Sequence, residues 1–168
     1  MSQLSLSLDS SLLVRDVAGD YRPANADEVL QAAQRVLAGQ MRGCEALTSP
    51  HVVRDFLRVK LGALEHEMFA VIHLDAQNRV IEYVEMFRGT VSQTSVYPRE
   101  VVKEALARNC AALLLVHNHP SGVAEPSRAD EMLTQTLKSA LALVDVRVLD
   151  HLIVAGSAIL SFAERGLL

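Results

Sequence analysis

The sequence predicts an α/β fold, a mixed β-sheet sandwiched by helices, and three observations carry the prediction. Hydrophobic spacing switches along the chain between the helical period and strict alternation. The strand-like runs are interleaved with helical ones rather than collected in one block, which favours helices packed on both faces of a sheet. One run, Cys110–Val116, is almost entirely apolar and reads as a central strand buried on both sides. With 168 residues, half of them hydrophobic and 21% charged, the chain has the composition of one globular domain with a real core.

Taken in order, Met1–Ala24 shows no sustained period and reads either as an arm or as an edge strand around Leu12–Val17. Asn25 and Glu28 form a capping-box pattern, followed by Val29, Leu30, Ala33, Val36 and Leu37 at helical spacing, with an end near Gly39 or Gly43. Ser49-Pro50 starts a second helix, with Val52, Val53, Phe56, Leu57 and Leu61 as its buried stripe and Gly62 as its end. From Glu67 the period is two: Met68–Leu74, a turn at Asp75–Asn78, and a returning strand Val80–Phe87 make a hairpin. Gly89–Val96 is a candidate extended segment. Pro98 opens a helix to about Arg108, Ser127–Leu143 is the next, Val146–Ala155 is a last strand and Ser161–Arg165 a short terminal helix. Residues 1–44 then form an N-terminal arm and helix, and residues 45–168 the main domain.

Bulk properties narrow the function. The net charge of −4 and the lack of a dense Lys/Arg block do not support nucleic-acid binding by this chain alone. Arg99, Lys103 and Arg108 read as a solvated helical face. Cys44 and Cys110 are far apart and form neither a zinc knuckle nor a disulfide framework, which fits a reducing compartment. No basic n-region precedes the first apolar residues, and the longest apolar runs fall short of the ~20 residues that cross a bilayer. These features predict a soluble cytoplasmic protein.

The chemistry gathers at His117-Asn118-His119-Pro120-Ser121-Gly122, with Ser127 and Asp130 downstream. Residues two apart on a strand share a face, so His117 and His119 point together while Asn118 points away. Pro120–Gly122 turn the chain, and a carboxylate on the first turn of the next helix can close a third corner. Two imidazoles and a carboxylate, with a fourth position for water, are the composition of a catalytic zinc site. Singly, each histidine would read as a structural one. Asn118, Pro120, Ser121 and Gly122 are expected to shape the turn. Ser127-x-x-Asp130 also reads as a helix cap, and the cap and metal roles compete at Asp130. Asp150-His151 reads as a core or surface pair rather than as support for the ligands, and His51, His66 and His73 as solvated. Ser95 is a candidate polar lining residue by proximity alone, and neither cysteine has a catalytic partner.

The pattern H-x-H, seven residues, S, two residues, D resembles the JAMM motif of MPN-type metalloproteases, and the HNHPSG wording resembles the RadC family within that group. Flanking text around Phe69, Tyr97-Pro98-Arg99-Glu100 and Leu149-Asp150-His151 is similar too, so the resemblance spans about Glu45 to Leu168. It implies a deaminase-like JAMM/MPN fold and a zinc hydrolase of peptide or isopeptide bonds. His117, His119 and Asp130 would hold Zn2+, Glu67 would be general base and then acid, and Ser127 would assist the oxyanion. Spacing alone does not separate Glu67 from Glu65, Glu82 or Glu85. Longer RadC relatives resemble this chain plus a DNA-binding helix-hairpin-helix module, which residues 1–44 do not match, so the chain reads as a short form. The alternatives are a DNA-transaction protein, a hydrolase of phosphodiesters, or a non-catalytic interaction module. Nothing in the sequence names the peptide or protein substrate or the oligomeric state.

Overall fold

The computed structural model describes residues 12–46, 49–90 and 95–168. Five strands form one mixed sheet: β3 (Met68–Leu74), β4 (Val80–Arg88), β5 (Ala112–Asn118), β6 (Arg147–Ala155) and β7 (Ala158–Ser161), in the order β4-β3-β5-β6-β7. Among the described residues only β5 and β6 run parallel, and the other neighbours in the sheet are antiparallel. The β3–β4 hairpin turns where Asp75 Oδ1 accepts from the Gln77 and Arg79 amides, and Asn78 takes a positive φ of 59°. β7, a short strand folding back on β6, was not anticipated from the sequence.

Every residue of β3 and of β5 is buried, because helices cover both faces. On one face, Phe56, Leu57 and Leu61 of α2 (Pro50–Leu61) pack on Ala70, Ile72, Leu114 and Val116. On the other, Val101 and Ala105 of α3 (Pro98–Ala107) and Leu137 and Leu141 of α4 (Arg128–Ala142) pack on Phe69, Val71, Leu113 and Leu115. The alternation of the strands thus sorts two cores, one per face. Gly62 ends α2 against the β6–β7 turn, where an added Cβ would lie 2.5 Å from the Gly156 carbonyl oxygen. That close approach admits no side chain.

The expected helix after Asn25 is α1 (Ala26–Met41), and its capping box is formed as read: Asn25 Oδ1 accepts from the Glu28 amide and Glu28 accepts from the Asn25 amide, both at 2.9 Å. Leu30 and Val36 of its apolar set are exposed, while Met41 reaches the α2-side core. Ahead of it, β1 (Leu13–Arg15) and β2 (Tyr21–Pro23) pair with each other in a small separate sheet. Of the extended segment expected over 89–96, residues 91–94 lie outside the described ones.

His73 departs from expectation. It is fully buried on β3, on the same face as Phe69 and Val71, and neither ring nitrogen has a hydrogen-bond partner among the described residues. Burial, reinforced by the nearby Arg108 charge, lowers its pKa to about 4. Arg108 itself is not simply solvated, since it pairs with Glu82 at 2.8 Å and with Glu104.

Candidate metal centre

β5 delivers His117 and its trailing residue His119 to the carboxyl end of the sheet's only parallel pair, where the crossover into α4 begins. A connection that leaves this edge and returns as a helix places the helix's first turn beside the strand end, the usual location of functional groups in such layers. Ser127 is the N-cap of α4 and Asp130 its third residue. The chain between turns at Gly122, whose φ of +78° lies in the left-handed region that glycine adopts without strain. As a result, ligand atoms of His117, His119 and Asp130 lie within 4.8 Å of one another.

At Asp130 the cap forms while the same carboxylate also faces the histidines. Asp130 Oδ2 accepts from the Ser127 amide at 2.7 Å and from the Ser127 hydroxyl at 2.6 Å. The other oxygen, Oδ1, lies 3.3 Å from His117 Nε2. Oδ2 completes the cap and also lies 3.6 Å from His119 Nε2, while Oδ1, outside the cap, faces His117. Burial pushes the Asp130 pKa up, but the adjoining His117 and His119 imidazoles and the Ser127 hydroxyl outweigh it and hold the group ionised far below the usual carboxylate range. The same contact with Asp130 raises the pKa of His119.

Hydrogen-bond partners fix the histidine tautomers. Val123 O, a carbonyl that can only accept, lies 2.9 Å from His119 Nδ1, so that nitrogen carries the proton and Nε2 the lone pair. His117 Nδ1 lies 2.8 Å from Nε2 of His151, whose Nδ1 lies 2.6 Å from the Thr134 hydroxyl. That hydroxyl donates to the Asp130 carbonyl at 2.6 Å, so it accepts from His151 Nδ1. His151 Nε2 then accepts from His117 Nδ1, and His117 Nε2 is left as a lone pair. The two Nε2 atoms stand 2.9 Å apart, and two lone pairs at that distance repel unless a cation lies between them. Zinc bonds of ~2.0–2.1 Å in a tetrahedron separate ligand atoms by about 3.3 Å. His117 Nε2 lies 3.3 Å from Asp130 Oδ1, His119 Nε2 lies 3.6 Å from Asp130 Oδ2, and the two Nε2 atoms are 2.9 Å apart, all near that value, so the three residues fit a zinc ion.

Glu67 precedes β3 by one residue. Phe69 pairs with His117 in the antiparallel β3–β5 ladder, and continuing that register sets Glu67 opposite His119. Its charge contributes to the raised His119 pKa. Glu82 is paired with Arg108 and Glu85 with Lys60, farther along β4 opposite His73 and Ala70. Of Glu67, Glu82 and Glu85, it is Glu67 that the register sets at the histidines.

Two readings need correction. The His151 side chain does not pair with Asp150: it is fully buried and bonds His117, while the Asp150 carboxylate accepts from the His151 amide at 2.7 Å, the Ser161 hydroxyl at 2.5 Å and the Ala163 amide at 2.9 Å. Burial first, and the neighbouring His117 second, hold His151 neutral well below the ordinary imidazole range. Asn118 does more than shape the turn: its Oδ1 accepts from the Met68 amide at 2.7 Å and its Nδ2 donates to the His66 carbonyl at 3.0 Å. It ties β5 to the two residues that flank Glu67. Strand alternation, which puts neighbours on opposite faces, was the signal available for both.

The family model described as RadC-like JAB domain matches residues 47–167. A UPF0758 protein of Leptothrix cholodnii is 60% identical over 150 residues, covering 89% of this chain and 68% of its own. Another, from Methylibium petroleiphilum, is 55% identical over 167 residues, with coverages of 95% and 75%. One from Aromatoleum aromaticum is 62% identical over 146 residues, with coverages of 86% and 65%. This chain therefore spans roughly two thirds to three quarters of the length of these relatives.

Proposed function

Since the chain belongs to the RadC-like JAB-domain family, we propose that it is a zinc-dependent hydrolase that cuts a peptide or isopeptide bond. The observation that carries this reading is the pair of tautomer-fixed lone pairs on His117 and His119, converging beside an ionised Asp130. A module without chemistry has no need of such an arrangement. Catalysis is assigned to residues 45–168, with residues 1–44 as an arm outside it.

Held by these three residues, zinc supplies a Lewis acid that brings the pKa of a water toward neutrality. The remaining steps belong to the chain. His117 and His119 offer neutral nitrogens, and Asp130 offers Oδ1 while Ser127 steadies Oδ2. Glu67 takes a proton from the attacking water and returns it to the leaving amine nitrogen as the C–N bond breaks. Ser127, whose peptide N–H already serves Oδ2, can turn its hydroxyl proton toward the oxygen that gains negative charge.

The test offers zinc-loaded protein and its Glu67→Gln variant a mixed library of peptides and isopeptide-linked peptides, with cleavage read by mass spectrometry. The parent should cut, and the variant should keep its zinc and lose about 10²–10⁴-fold in turnover. Full turnover in Glu67→Gln would remove Glu67 from the mechanism. No cleavage by the zinc-loaded parent would overturn the amide reading.

A further inference from the structure

Thr134 lies one helical turn after Asp130 on α4, fully buried, and the only polar atom of its side chain meets two partners. These are the Asp130 carbonyl oxygen and His151 Nδ1, each at 2.6 Å. The hydroxyl has one proton, and the carbonyl cannot supply one. Its proton therefore goes to the carbonyl, its lone pair faces Nδ1, and the chain of donors runs on from His151 to His117. We propose that Thr134 is the positioning residue that sets the tautomer of His117, two hydrogen bonds away, and so makes the metal centre competent to bind.

The geometry makes the assignment specific. Thr134 and Asp130 sit on one face of the helix at i and i+4, so a single turn of α4 presents the carboxylate to the site and anchors the relay that orients His117. The acceptor of the His117 N–H is a neutral imidazole rather than a carboxylate, and an imidazole can accept or donate at Nε2. A carboxylate would enforce the His117 tautomer by itself; His151 does so only while its own proton is held at Nδ1. Thr134 holds it there. Without the hydroxyl, His151 would move its proton to Nε2, and His117 would have to accept at Nδ1 and carry its proton on Nε2, where it cannot ligate.

The experiment uses the full chain, stripped with a chelator and compared as parent, Thr134→Val, Thr134→Ser and His151→Gln. Valine matches the shape of threonine without the hydroxyl; glutamine retains an oxygen for His117 and an N–H for Thr134. Two readouts are taken: long-range ¹⁵N–¹H spectra of the imidazoles in metal-free protein at alkaline pH, and zinc affinity by competition with a chromophoric chelator. The parent should show His117 and His151 protonated at Nδ1. Thr134→Val should move the His117 proton to Nε2 and weaken zinc about 10–100-fold, the range for loss of a partner behind a ligand. Thr134→Ser and His151→Gln should both stay within a few-fold of the parent. The proposal is overturned if Thr134→Val keeps the His117 tautomer, or keeps parental zinc affinity. The zinc readout rests on the metal reading above and the tautomer readout does not. A parent that binds no zinc but shows the tautomer change would sustain the relay and overturn the metal centre.

Discussion

Replacing Asn118 with Ala tests how Glu67, the proposed general base, is positioned. Asn118 is 2% exposed and bridges β5 to the Met68 amide and the His66 carbonyl, the groups on either side of Glu67. Truncation removes two hydrogen bonds and leaves a donor at 8%-exposed Met68 without its partner. The bond to the His66 carbonyl contributes about 1 kcal/mol net, and the Met68 amide left unpaired costs about 1–3 kcal/mol, so the loss should be about 2–4 kcal/mol. For a chain of this size that corresponds to a melting point lowered by roughly 5–15 °C. Urea unfolding gives the free energy, and hydrogen exchange at the Met68 amide gives the local effect, which should be faster exchange. Asn118→Asp keeps the acceptor, loses the donor and should fall between. Zinc affinity should stay near the parent's while turnover falls, because the ligands remain and only the Glu67 backbone is released. A loss under about 0.5 kcal/mol with unchanged Met68 exchange would refute the clamp, since even a single net hydrogen bond is worth that much.

Three further outcomes are expected. Ser127→Ala removes the hydroxyl that accepts from the Asp130 amide at 3.1 Å and should cost about 1 kcal/mol of stability, measured by urea unfolding, besides lowering turnover. His73 titrates in the unfolded chain near 6.5 and in the fold near about 4. Below pH 6.5 the unfolded state therefore binds the extra proton, and metal-free protein should lose stability as pH falls between these values, by roughly 3 kcal/mol from this residue; His73→Leu should flatten that part of the curve in unfolding experiments across pH. His119 has the opposite sign: its raised pKa gives metal-free protein a stabilising contribution that is full below the unfolded value and lost as pH rises through the folded one. In His119→Ala that alkaline loss should vanish.

Much of this was legible because it follows from short-range geometry. Alternation put His117 and His119 on one face, and the Ser127 cap pattern put Asp130 on the first turn of α4. What the sequence could not show was set by distant register. His151 reaches His117 only because β5 and β6 pair in parallel with Leu115 opposite His151 and His117 opposite Ile153. Its nearest acid in sequence, Asp150, was the wrong partner, since neighbours on a strand face opposite ways. Thr134 carried a signal in its i+4 spacing from Asp130, but its meaning depended on His151. For His73 the alternation already placed it with buried Phe69 and Val71; its polar side chain suggested solvent, and the helix cover over that face decided otherwise. In α1 the helical pattern was right, and the exposure of Leu30 and Val36 reflects a helix that packs chiefly on α2, a tertiary fact that the period does not contain.

The central claim is that His117, His119 and Asp130 form one zinc site. Calorimetric titration of chelator-stripped protein with zinc, run beside His119→Ala, tests it most directly. The parent should take up about one zinc per chain, and the variant, equally folded by circular dichroism, should lose most of that affinity, as expected when one of three protein ligands is removed. A parent that takes up no zinc, or a variant that binds it as tightly, would contradict the account.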